Sequence, residues 1–176
     1  MNETQSVSSI ITHSPQTWTK AFWKPVLVYT AIAGTLDITA AHLHVWAVTG
    51  KFPTSMLKAI AGGAIGGQRA MEGGAGMMAL GLFFHYFISF AFTLLFFLLY
   101  PRIALLRKNL YAIAPAYALF TWAVMTYIVL PLSRLPWRAP NFANKHVYIG
   151  WIILTAIFAL PIVFGARRHY AKKYAD

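Results

Sequence analysis

The chain has no cysteine, which excludes disulfides, thiolate metal centres and thiol catalysis. Acid is almost as scarce: Glu3, Asp37, Glu72 and Asp176 are its only carboxylate side chains. That supply is too thin for paired acid–base catalysis. Charge of either sign makes up 11% of the residues, against about 25% in an average soluble domain, so a polar shell around a soluble core cannot be built from it. No Gly-x-Ser-x-Gly elbow occurs, and the glycine-rich stretch lacks the Lys-Ser/Thr ending of a phosphate loop. Six histidines are fewer than a membrane di-iron oxygenase requires. None of these features points to an enzyme, and no cofactor is required.

What the chain has in excess is apolar length. It is 59% hydrophobic, with a mean hydropathy of +0.57 and a net charge of +11. Basic charge on this scale suits a nucleic-acid binder or a membrane protein with basic loops. Here the bases punctuate long apolar runs, which favours the membrane and no nucleic-acid partner. A span needs about 20 mainly apolar residues to cross a ~30 Å hydrocarbon core. Four segments meet this, near 24–48, 77–100, 110–132 and 146–166. The expected fold is an all-α integral membrane protein, a single domain over residues 1–176 built as a four-helix bundle.

The polar segment 1–20 lacks the basic start and early apolar core of a signal peptide, so the first span is expected to direct insertion and remain in place. The short connection from Pro101 to Asn109 makes spans 2 and 3 a hairpin, which puts the N-terminus, this turn and the basic tail 167–176 on one side. Lys20, Lys24, Arg102, Arg107, Lys108, Arg167, Arg168, Lys172 and Lys173 lie there; Lys51, Lys58, Arg69, Arg134, Arg138 and Lys145 lie opposite. The denser side is expected to be cytoplasmic, as in a bacterial inner membrane. Trp18, Trp23, Trp46, Trp137 and Trp151, with Tyr100 and Tyr148, fall near span ends, as an interfacial belt requires. Trp122 lies deeper.

Between spans 1 and 2, Pro53 to Ala61 is expected to begin a short helix capped by Thr54 or Ser55. The glycine-rich run from Gly62 to Gly74 that follows suits an interfacial or re-entrant segment, or close helix packing through glycine.

Asp37 lies midway between Lys24 and Lys51, where a carboxylate costs roughly 2.5–3.5 kcal/mol to insert. His44, seven residues on, returns to nearly the same helix face, whereas His42 points away from it. His85 and Ser89 share a face of span 2, and Glu72 and His146 lie towards the same side of the membrane. Asp37, His44, His85 and Ser89 form the candidate pocket, with His42, Glu72, His146 and Arg69 as secondary candidates. Arg69 and Glu72, three apart, are expected to pair locally. Three readings stay open: polar residues that only fix packing, as in an accessory subunit; a periplasm-facing site that moves or senses protons, ions or a small solute; and a metal or haem site on His44, His85 and His146. Spans 3 and 4 read mainly as hydrophobic walls. At this size a homo-oligomer or a membrane-complex partner is expected in addition to the bilayer.

Residues 80–155 resemble the YagU-like family of small bacterial inner-membrane proteins, whose molecular function is not established. The resemblance is carried by His85 with Ser89, Tyr100-Pro101, Pro131, Leu135-Pro136-Trp137, and His146 with Tyr148. It implies an inner-membrane location and a role in acid tolerance or envelope homeostasis. The family's carboxylate just before the last-helix histidine is missing here, where the chain reads Asn141-Phe142-Ala143-Asn144-Lys145.

Overall fold

The computed structural model describes residues 20–173; Trp18, Glu3 and most of the polar N-terminal segment, and residues 174–176 of the tail, lie outside the described residues. Four helices are long and apolar enough to cross a membrane: α1 (Lys20–Thr49), α4 (Ala75–Leu99), α5 (Leu110–Leu132) and α6 (Lys145–Ala171). Two short helices, α2 (Met56–Ile65) and α3 (Gly67–Glu72), fill the connection between the first two. No strand occurs among the described residues. The long helices turn large apolar side chains outward, Phe83 and Ile152 each 61% exposed, which water-soluble surfaces avoid over large patches. α6 outruns the expected end at Ala166: its last segment continues to Lys173, so the start of the basic tail is helical.

The starts of α5 and α6 have local causes. Asn109 accepts a hydrogen bond from the Tyr111 amide, and Asn144 does the same for His146, both at 3.0 Å. Each satisfies one of the orphan donors of a helix N-terminus.

The bundle is fastened at the end where α1 begins and α6 finishes. Val26, Phe96, Phe97, Ala118, Ile162 and Ala166 are wholly buried there. Tyr117 donates its hydroxyl to the Phe92 carbonyl at 2.6 Å, and Tyr170 donates to the Phe97 carbonyl at 2.8 Å, so α5 and α6 both dock on the α4 backbone. Tyr100, expected in an interfacial belt, is buried and stacked on Tyr170. Trp151 likewise is not a free belt residue: its indole donates to the Pro115 carbonyl, joining α6 to α5.

At the other end α2 lies against α4. A Cβ on Gly81 would collide with the Leu57 carbonyl, so the absence of a side chain sets the approach. Ser55 precedes α2 without the expected side-chain cap, and the glycine-rich run is helical rather than looped, broken at Gly66 with φ 97°. The Arg134 amide donates to the Gly63 carbonyl at 2.8 Å, tying α2 to the end of α5.

Both α5 and α6 contain a π-helical turn, at Met125–Val129 and Leu154–Ala159. The Leu130 and Leu160 amides reach back five residues, to the Met125 and Thr155 carbonyls. Each turn runs into a proline, Pro131 or Pro161, which has no N–H to continue the ladder. In α5 the carbonyl thus left over is Thr126, and the Trp137 indole N–H donates to it at 2.7 Å.

Candidate functional site: a polar cavity in the α2 half of the bundle

The α2 half of the bundle is hollow. A cavity of about 410 Å³ is lined by Asp37, Ala41, His44 and Val45 of α1, by His85, Ile88, Ser89 and Phe92 of α4, and by residues of α2, α5 and α6. Phe92 and Phe158 line it and also belong to the packed core, so they form its floor.

Asp37 enters from the middle of α1. Among the described residues its carboxylate makes no hydrogen bond or ion pair, although it is close enough to His85 for their charges to interact. Thr35 and His85 make their hydrogen bonds elsewhere. Thr35 bonds the Tyr86 hydroxyl at 2.7 Å. His85 Nε2 lies 2.8 Å from the Gly34 carbonyl, so Nε2–H is the donor and Nδ1 takes no part in that bond. Gly34 makes that approach feasible, because a Cβ there would press on the Tyr86 ring at 3.0 Å and on Ser89 Oγ at 3.3 Å. The histidine is thus oriented by a backbone carbonyl rather than by the aspartate.

All four residues expected to form the pocket line this one cavity. The secondary candidates divide. His146 faces His44 with ring centroids 5.7 Å apart, and its Nδ1 is buried without a hydrogen-bond partner. His42 turns away: its Nδ1–H donates to the Ile38 carbonyl, and the ring packs on Phe52. Glu72 accepts from Gln68 Nε2 at 2.9 Å rather than pairing with Arg69, and neither residue lines the cavity. The three histidines weighed as a metal set do not converge. His44 and His146 pair, His85 is held on Gly34, and no group of three metal-binding side chains forms among the described residues.

Helices α5 and α6 are more than walls. Thr121, Trp122 and Met125 of α5 and Gly150, Ile153, Leu154 and Phe158 of α6 complete the lining, and both π turns contribute to it. π turns interrupt helices often at functional sites. The prolines in these spans were the only sequence signal for them. Trp122 was legible only as an aromatic too deep for an interfacial belt. Met56 and Ile60 bring α2 into the site, which no spacing rule could foretell.

No protein-family model, curated protein or solved structure matches this chain.

Proposed function

We propose that this chain is a small multipass inner-membrane protein that takes up protons and a small solute from the periplasmic side through the Asp37 cavity. The observation that carries the reading is a carboxylate that makes no hydrogen bond or ion pair among the described residues, in a chamber where His85 keeps one ring nitrogen uncommitted. A carboxylate that only fixed packing would need a donor, and Thr35 and His85 Nε2 serve other acceptors. In a bilayer such a group is held neutral or exchanges its proton, and histidine is the side chain suited to relay it. His44 and His146, paired at the mouth, continue the route outward.

The finer placement follows the bases. With the lysine-rich and arginine-rich end cytoplasmic, the α2 end faces the periplasm, and α2–α3 becomes a segment dipping into the outer leaflet. Its buried Ala61, Gly62 and Ala70 support that placement, since backbone at membrane depth must be covered by protein. The floor of the cavity leaves half a pathway within one chain, which favours a second copy or a partner in the membrane. The likeness of residues 80–155 to YagU-like proteins fits the same location.

Infrared difference spectroscopy on reconstituted protein tests the proton step. A carboxylic-acid band that responds to external pH and vanishes in Asp37→Asn, with the fold retained, is the expected result. A spectrum identical in both proteins would sink the reading.

A further inference from the structure

Granting the proton-exchanging pocket, we infer that its solute is a lipophilic organic cation: an ammonium group at Asp37, with an aromatic or branched apolar body against Trp122, Phe92 and Phe158.

The size of the chamber is the first argument. A volume of about 410 Å³ falls within the 300–1,000 Å³ of small-molecule pockets, far more than a proton needs. The lining is the second. A bare metal cation requires several oxygen or nitrogen ligands, about six for magnesium or calcium. No three metal-binding side chains converge among the described residues. An organic ammonium requires one counter-charge and a shaped apolar surround, and this cavity offers that combination. Trp122 adds an indole, the ring best suited to attract a cation by its π face.

The route is the third argument. A second, almost wholly apolar hollow of about 540 Å³ lies between α2 and the end of α5, lined by Phe84, Ile128, Val129 and Leu135 among others. It shares Met56, Ile60, Ile88 and Met125 with the Asp37 cavity, so the same side chains form one wall of each. The aqueous mouth is a poor entrance for a cation, because Lys51, Lys58, Arg69, Arg134, Arg138 and Lys145 all belong to that end of the bundle. A hydrophilic cation is repelled there. A lipophilic one concentrates in the membrane and reaches Asp37 past the shared apolar wall.

Benzyltrimethylammonium is the probe, titrated calorimetrically into the purified full chain in detergent. Saturable binding is expected, weakening as the pH is lowered because protons compete for Asp37. Asp37→Asn should weaken it by about tenfold or more, the loss of one desolvated charge pair. Trp122→Leu should weaken it by about tenfold while leaving the infrared carboxyl band in place. Absent saturation, or wild-type affinity that is flat with pH and unchanged in Trp122→Leu, overturns the inference even if Asp37→Asn fails to fold. If the Asp37 carboxyl band titrates but the probe does not bind, only the organic-cation assignment falls. If the band is absent too, the proton reading falls with it.

Discussion

Trp137 is 42% exposed, yet its replacement by phenylalanine should destabilise the protein more than loss of the buried Tyr117 hydroxyl. The two acceptors differ. The Phe92 carbonyl that receives the Tyr117 hydroxyl sits in the regular ladder of α4 and keeps its helical donor when the hydroxyl is removed. Interhelical bonds of that kind in membranes average about 0.6 kcal/mol. The Thr126 carbonyl has no such reserve. Leu130 donates past it to Met125, and Pro131 has no N–H, so the Trp137 indole is its donor. Trp137→Phe leaves an acceptor unpaired, a loss of about 1–3 kcal/mol. Unfolding in bicelles, followed for both variants by the same probe, should rank Trp137→Phe below Tyr117→Phe. Pro131→Ala supplies a backbone N–H to that turn, and in this background the Trp137→Phe loss should shrink by at least half. Equal losses in the two single variants, or no coupling between positions 131 and 137, would refute the assignment of Trp137 as a substitute for the missing backbone donor.

Other outcomes follow from the packing. Gly81→Ala places a methyl on the Leu57 carbonyl, so α2 must lift from α4; the overpacking should cost about 1–3 kcal/mol and raise proteolysis of the α2 connection. Gly34→Ala should press on Tyr86 and Ser89 and lengthen the His85–Gly34 bond, read as a changed imidazole nitrogen shift in NMR while the helical content stays constant. Because the chain is free of cysteine, single cysteines report without background. Ala41→Cys in the cavity should react with a small thiol reagent, and Ala33→Cys in the sealed core should not. Equal reactivity at the two positions would contradict a bundle hollow at one end only.

The long helices were legible because charges bracket apolar runs of span length, and the observed ends fall within a few residues except at the tail, where Tyr170 reaches back to α4 and prolongs α6. Asp37 and His44 could be placed together because seven residues make nearly two whole turns, and Ser89 lies one turn from His85. What could not be read were contacts between a side chain and a distant backbone. Nothing in the sequence near His85 says that it will seek the Gly34 carbonyl, and nothing near Gly81 says that Leu57 will rest on it. The Arg69–Glu72 expectation failed for a related reason: Gln68, one full turn before Glu72, competes for the same carboxylate and wins. The π turns were hidden because a proline forecasts a break in the ladder but not how the preceding residues rewind.

That rewinding has a consequence for the phase of α6. Gly150, Leu154, Phe158, Ile162, Ala166 and Tyr170 are spaced four apart; the first three line the cavity and the last three are buried in the core. In an ideal α-helix every fourth residue overshoots by about 40°, so such a column would drift about 200° over its length and end facing away. The turn at Leu154–Ala159 winds more slowly and takes up part of that drift. A single-residue deletion within it would restore the faster winding and leave the two flanking segments in phase. The same residues wound throughout as an ordinary α-helix would instead swing the segment before it by about 100° relative to the core. His146 would then leave His44 while Tyr170 stayed on Phe97. The cavity lining on α6 is thus a matter of helical register as well as of side-chain chemistry.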